Sequence, residues 1–244
     1  MTPFIAEILG TFLLILLGNG AVANVVLKQT KGHGSGWIVI TTGWALAVYT
    51  GVLVAGPYSG AHLNPAVTIS LAVSGLFEWS LVASYIIAQF IGAMFGTFAV
   101  WIVHINHYKI TEDKNLVMAT FCTSPAIRNI PINFLSEAVG TFVLVFAVLY
   151  IVAPELSIES QNVNFGLGSL GAIPVAFIVW VIGLCLGGTT GYAINPARDL
   201  GPRIVHTLLP MKMKRDSDWS YSWVPVFGPI AGGVIAALLY IMLQ

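Results

Sequence analysis

The chain has 244 residues, of which ten are Lys or Arg and ten are Asp or Glu, so its formal net charge is zero and charged residues make up 8%. Hydrophobic residues reach 57%, and the mean hydropathy is +0.87. An average soluble domain carries about 25% charged residues, so this composition excludes a soluble globule and a disordered chain, and it offers no basic footprint for nucleic acid. Two cysteines, Cys122 and Cys185, make neither a disulfide framework nor a Cys-based zinc site.

The first element, Phe4–Leu27, is an apolar run of spanning length, roughly 17–25 residues. No basic residue precedes it and no small-residue cleavage site follows a short apolar core. It is therefore expected to be a retained helix, not a signal peptide. Trp37–Ala55 is the second span. After the Gly-containing stretch Gly56–Leu63 comes Asn64–Ser74, which opens Asn-Pro-Ala and is too short to span. Leu81–Val103 is the third span, and the polar stretch His104–Asn133 is expected to be a connecting loop. Phe134–Ala153 and Leu170–Leu186 are the fourth and fifth spans. Gly187–Ile194 then leads into a second short Asn-Pro-Ala segment, Asn195–Thr207, and Trp223–Leu243 is the sixth span. Continuous apolar runs, without alternation, predict helices and not an outer-membrane barrel. Irregular backbone followed by a half-length helix survives at membrane depth only when buried in protein or facing a watery cavity. A wet path is implied.

The two halves repeat. Glu7-x-x-Gly-Thr-Phe-x-Leu14 recurs as Glu137-x-x-Gly-Thr-Phe-x-Leu144, and Gly60-Ala-His-Leu-Asn64-Pro65-Ala66 recurs as Gly191-Tyr-Ala-Ile-Asn195-Pro196-Ala197. Each half holds three spans and a half-helix, and three is odd, so the second half enters the membrane inverted. The expected architecture is an all-α membrane protein of six transmembrane helices plus two re-entrant half-helices. It forms a single domain over 1–244, with inverted repeats at about 1–110 and 130–244 and a functional site near the midplane.

Asn is a good N-cap, and Pro suits the first helical turn, where its missing N–H costs nothing. Each motif therefore starts a half-helix, and inversion points the two N-termini at each other. Their dipoles put positive potential where they meet, and each Asn amide offers uncharged N–H donors. Such a place accepts neutral hydroxylic solutes and repels cations.

With these motifs in hand, the chain resembles the major intrinsic protein family, the aquaporins and glycerol facilitators, over nearly its whole length. The motifs are Glu7-x-x-Gly-Thr, Ser59-Gly-Ala-His-Leu-Asn64-Pro-Ala-Val-Thr68, Glu137-x-x-Gly-Thr and Gly191-Tyr-Ala-Ile-Asn195-Pro-Ala-Arg198-Asp-Leu-Gly-Pro202. The resemblance implies an aquaporin-like fold with one pore per chain, a homotetramer, no cofactor and no metal. It also implies a selectivity filter at Trp44, Gly183, Tyr192 and Arg198. Water-selective members usually carry His where Gly183 stands, whereas glycerol-conducting members resemble this chain in having Trp, Gly, an aromatic residue and Arg. Trp44 and Tyr192 would then face the carbons of a polyol, and Arg198 its hydroxyls. Tyr192 departs from the Phe of well-known glycerol facilitators and could narrow the opening. Asp199 with Arg203 four residues on, and Pro225-Val226, mark the same branch, the charged pair being expected to give only local helix support.

Under the same resemblance, Glu7 and Glu137 accept hydrogen bonds from the re-entrant loops. The loop carbonyls of Gly60, Ala61, His62, Thr190, Gly191 and Tyr192 would form a ladder of acceptors. His62 is expected to be a structural histidine at a pore mouth; His104, His107 and His206 are expected to be interfacial, and Cys185 to be a packed small residue. The Gly-x-x-x-Gly pairs at Gly92, Gly183 and Gly228 suit close helix packing within one chain.

Charge and resemblance disagree on orientation. The resemblance puts both termini and the loops Ser74–Ser80 and Pro154–Ser169 in the cytoplasm of a cell-membrane protein, yet those loops contain no Lys or Arg. Eight of the ten basic residues stand in the opposite loops, which the positive-inside rule would place inside. Fold-wide topology is the stronger constraint, and cytoplasmic termini are expected. The expected function is a passive channel for glycerol, water and other small neutral solutes. The alternatives are a water-selective channel, an ion-coupled transporter, which would need paired intramembrane charges, and a sealed junction protein. No phosphate-binding loop, catalytic triad or zinc motif points to an enzyme.

Overall fold

The structure is a computed structural model that describes residues 1–152 and 167–244, together with the backbone of two short strands between them. Ten α-helices follow in chain order: α1 (Pro3–Val26), α2 (Trp37–Ser59), α3 (Pro65–Val73), α4 (Trp79–Val103), α5 (Ile105–Ile110), α6 (Lys114–Ala119), α7 (Ile130–Leu149), α8 (Ile173–Cys185), α9 (Pro196–Leu208) and α10 (Val224–Leu243). A 3-10 turn, Gly168–Ala172, runs into α8. Among the described residues, six helices are long and apolar enough to cross a membrane: α1, α2, α4, α7, α8 with its 3-10 turn, and α10. They match the six predicted spans. The half-length helices α3 and α9 match the two re-entrant segments.

The boundaries move for local reasons. Helix α7 starts at Ile130, four residues before the predicted Phe134, because Asn129 caps it and Pro131 fits its first turn. The helix closes at Leu149, and Ala153, the predicted end of that span, lies outside the described residues. Helix α2 runs through Pro57 to Ser59, where Gly60 takes a left-handed φ of 77° and its N–H closes on Gly56. The loop expected over His104–Asn133 contains α5 and α6, the second capped by Asp113 on the N–H groups of Asn115 and Leu116. Between α7 and α8 the backbone forms an antiparallel hairpin, β1 (Glu155–Ile158) and β2 (Gln161–Asn164), with Glu155 opposite Asn164. No strand was expected there. The rest of the predicted loop Pro154–Ser169, up to residue 166, lies outside the described residues.

The repeat is visible in the packing. Helix α1 lies against α4 and α7 against α10, each pair through glycine. A Cβ on Gly96 would sit 2.6 Å from the carbonyl of Phe12, and one on Gly228 would sit 2.9 Å from Cβ of Glu137. The Gly-x-x-x-Gly pairs of α4 and α10 thus bring helices together inside one chain, as expected. A main apolar cluster includes Leu14, Trp44, Val67, Leu144, Val179 and Tyr192, and it surrounds the place where α3 and α9 meet. A second, around Phe121, Met118 and Val205, closes one end of the bundle.

Candidate functional site: a path between two re-entrant loops

Each half-helix opens as the tripeptide chemistry dictates. Asn64 Oδ1 accepts from the N–H of Ala66 at 2.9 Å. Asn195 Oδ1 accepts from Ala197 at 3.0 Å and from Arg198 at 3.2 Å. The amide nitrogens cross over: Asn64 Nδ2 donates to the carbonyl of Ile194 at 2.8 Å, and Asn195 Nδ2 donates to the carbonyl of Leu63 at 2.8 Å. The two N-termini are therefore tied face to face. An amide nitrogen carries two hydrogens, so one N–H on each Asn remains for a solute. Both Asn side chains line one cavity.

The loops that lead into these caps carry left-handed residues at matching places. Gly60, Ala61 and Leu63 have φ of 77°, 52° and 51°, and Gly191, Tyr192 and Ile194 have φ of 82°, 38° and 43°. Non-glycine residues in this region cost of order 1–3 kcal/mol each and persist only where the surroundings hold them. Two carboxylates supply that hold. Glu7 accepts from the N–H groups of His62 (3.0 Å) and Leu63 (2.8 Å), and from Ser59 Oγ (2.7 Å) and Gln89 Nε2 (2.7 Å). Glu137 accepts from the N–H groups of Ala193 (3.0 Å) and Ile194 (2.8 Å). With their N–H groups engaged behind them, the loops keep carbonyls for the cavity side. Each Glu thus stands behind one re-entrant loop. Of the other partners, Ser59 opens the first Asn-Pro-Ala motif, whereas Gln89 had no signal in the sequence.

The inner cavity has two unlike walls. One is loop 60–64 with loop 192–195; the other is aliphatic, from Val48, Val52, Leu144, Val148 and Val179. Gly60, Ala61, His62 and Tyr192 of the expected carbonyl ladder line it. Gly191 lines an adjoining outer cavity, while Thr190 is buried and lines neither. Leu63, Ala193 and Ile194 line the inner cavity in addition. His62 is a packed histidine: its Nδ1 is 3.1 Å from Thr68 Oγ1, and its ring contacts Phe77 and Tyr85. His206, expected at an interface, is instead fully buried, with Nδ1 2.8 Å from Ser217 Oγ and its ring edge-on to Phe121. Cys185, expected to be packed, is exposed on the outside of α8. Cys185 departs because a span in lipid is apolar on its inner and outer faces alike, and His206 because the polar half-helix α9 is enclosed and packs it against Ser217 and Phe121.

Three residues, Trp44, Tyr192 and Arg198, line both the inner and the outer cavity and so stand at the junction. The Arg198 guanidinium lies 4.0 Å from the centre of the Trp44 ring, a cation–π contact. Trp44 Nε1, the Tyr192 hydroxyl and Arg198 Nη1 are buried with no hydrogen-bond partner among the described residues. Three orphan donors at one point are unusual, since buried polar groups are normally paired. Gly183, the fourth expected filter residue, lines neither cavity. A Cβ there would sit 2.9 Å from Tyr192 Cζ, so its part is to leave room for the ring.

Outside this junction the cavity is bounded by Arg128, Arg215 and Asp218 among others. Burial alone would raise the Asp218 carboxyl, but hydrogen bonds from Arg128 and Ser220 outweigh it and hold the group below its ordinary value. Asp199 and Arg203 form a fully buried pair beneath the wall, bonded through Arg203 Nε at 2.9 Å. They reach far beyond local helix support, since Asp199 also binds Thr123 and Arg203 binds the carbonyls of Thr123, Ser217 and Asp218.

The model of the major intrinsic protein family matches residues 1–240. The chain belongs to this family. It is 55% identical over 240 residues to the probable glycerol uptake facilitator protein of Thermotoga maritima, covering 98% of each chain. It is 50% identical to the glycerol uptake facilitator protein of Streptococcus pneumoniae, again over 98% of each. Among solved structures it resembles the aquaglyceroporin from Plasmodium falciparum, with a TM-score of 0.81, 35% identity, and 98% and 94% of the two chains covered. A major intrinsic protein is an integral membrane protein, consistent with the six apolar helices.

Proposed function

We propose that the protein is a passive channel for glycerol, water and other small uncharged solutes, that it excludes protons and ions, and that it is not an enzyme. The single observation that carries this is the junction of the two cavities. An aromatic corner, Trp44 with Tyr192, and the Arg198 guanidinium line both cavities there, and the paired Asn caps follow behind. A polyol has a carbon edge and a hydroxyl edge, and this lining suits both. The relatives named as glycerol uptake facilitators support the same reading. In this reading Trp44, Gly183, Tyr192 and Arg198 form the selectivity filter. Asn64, Pro65, Ala66, Asn195, Pro196 and Ala197 form the midplane pair. The protein sits in the cell membrane as a homotetramer with one pore per chain. Six spans put both termini on one side, and that side is the cytoplasm.

Stopped-flow light scattering on proteoliposomes tests the function. Fast shrinkage in glycerol followed by fast, non-saturating reswelling is expected. Fast shrinkage with reswelling no faster than in empty liposomes would favour the water-selective reading, for which the bulk of Tyr192 at the junction is the supporting feature. The wall assignment has its own test. Trp44→Ala removes a large ring from the path, so four- and five-carbon polyols should gain permeability relative to glycerol. An unchanged ratio would remove Trp44 from the selecting wall.

A further inference from the structure

We propose that Trp37 is a positioning residue for selectivity: it holds the Tyr192 ring in place from the outer side and thereby sets the width of the constriction. This rests on the reading of Trp44, Tyr192 and Arg198 as the constriction. Trp37 is the first residue of α2, seven residues before Trp44, and it lines the outer cavity.

The argument starts from how Tyr192 is confined. Its backbone φ is 38°, so the loop geometry aims the side chain in one direction. On one side the ring lies against Gly183 of α8 and Gly187 just past it, positions where an added Cβ would collide with ring atoms. No further movement is possible that way. Beside the ring stands Trp37, with ring centroids 5.9 Å apart and planes at 76°, the edge-to-face arrangement that aromatic pairs prefer. The ring borders both cavities, and on the side of the outer one Trp37 stands beside it.

Trp37 is itself fixed. Its Nε1 donates to the carbonyl of Gly183 at 3.0 Å. A Cβ on Gly187 would lie 3.0 Å from Trp37 Cζ2. The indole is therefore pinned by the same glycine whose missing side chain admits Tyr192. Trp37, Gly183 and Tyr192 make one closed unit: α8 blocks Tyr192 from behind, and an indole anchored to α8 blocks it from in front. Trp37 is 40% exposed, so its loss leaves no large buried void, and its principal consequence is freedom for Tyr192. A Tyr192 ring that swings toward the outer cavity leaves a wider gap opposite Trp44 and Arg198.

The test compares reswelling of proteoliposomes in glycerol, erythritol and xylitol for wild type, W37A, W37F, Y192A and the double variant W37A/Y192A. Water permeability of the same vesicles reports that each channel is folded. W37A should raise the erythritol-to-glycerol and xylitol-to-glycerol ratios by about two- to tenfold, the range that corresponds to the loss of an aromatic contact. W37F keeps a ring but loses the N–H donor, and its ratios should lie between those of W37A and wild type. Y192A should raise the ratios at least as much as W37A, and the double variant should match Y192A, because Trp37 acts through Tyr192. A merely structural role would lower all fluxes together and leave the ratios unmoved. If Y192A shifts the ratios while W37A does not, the Trp37 proposal is overturned and the constriction stands. If W37A fails to fold and W37F is as selective as wild type, the proposal is also overturned. If Y192A itself leaves the ratios unchanged, the constriction reading fails and the proposal with it.

Discussion

Asp199→Ala should destabilise the protein by about 3–5 kcal/mol, the cost of leaving a buried charge without its partner. Asp199 and Arg203 are both fully buried. The guanidinium makes four hydrogen bonds, from Nε to Asp199, from Nη2 to the Thr123 carbonyl and from Nη1 to the carbonyls of Ser217 and Asp218, and its Nη2 also lies 2.8 Å from Asp199 Oδ1. The second carboxylate oxygen accepts from the N–H of Thr123 at 2.7 Å and from its hydroxyl at 2.6 Å. One pair therefore ties α9 to the segment after α6 and to the segment before α10. Without Asp199, the guanidinium stays buried and the Thr123 donors lose their acceptor. Asn at this position keeps an acceptor but not the charge, and its effect should be smaller. The double variant Asp199→Ala with Arg203→Met removes the orphaned charge and should be less damaging than Asp199→Ala alone. The midpoint of thermal unfolding in detergent, with the yield of folded protein, measures the order. If Asp199→Ala unfolds at the wild-type temperature, the pair does not hold the three segments together.

The same pair shows what a sequence discloses and what it does not. Asp199 and Arg203 are four apart on a helix, so their contact was legible. Their other partners lie 14 to 80 residues away along the chain, in stretches with no periodic pattern. Only the folded packing brings these together. The same distinction holds for the short elements. The six spans were legible because lipid demands about twenty apolar residues in a row, and the half-helices because Asn-Pro-Ala is a start signal in itself. Helices α5 and α6 have six residues each, too few for periodicity to declare them. Spans also hide their inner faces. Leu14 is buried and Leu17 exposed on one helix, and no difference in residue type separates them. Cys185 was misplaced for this reason, and His206 because its partners Ser217 and Phe121 come from segments distant in the chain. At the site, the symmetric motifs led to Glu7, Glu137, Asn64 and Asn195. The family resemblance pointed to Trp44, Gly183, Tyr192 and Arg198. Trp37 carried no motif, since its part follows from the ring it touches and not from its spacing.

Arg198→Ala should raise proton and cation leakage at least tenfold while water still passes. Arg198 is nearly buried, its guanidinium is stacked on Trp44, and the residue lines both cavities at their junction. A fixed positive charge a few Å from the path opposes a cation by roughly 1–4 kcal/mol between a water-like and a surface-like dielectric. About 1.4 kcal/mol corresponds to tenfold. The half-helix N-termini add a second barrier of the same sign at the Asn pair, where each end carries about half a positive charge. The two barriers stand in series, so the variant divides their work. Arg198→Lys keeps the charge without the planar fork, and it should retain cation exclusion while losing glycerol selectivity. A pH-sensitive dye inside proteoliposomes, read after an acid step at fixed membrane potential, follows the leak. If proton flux stays at the wild-type level in Arg198→Ala, exclusion resides at the Asn pair, and the charge at Arg198 serves the solute's hydroxyls alone.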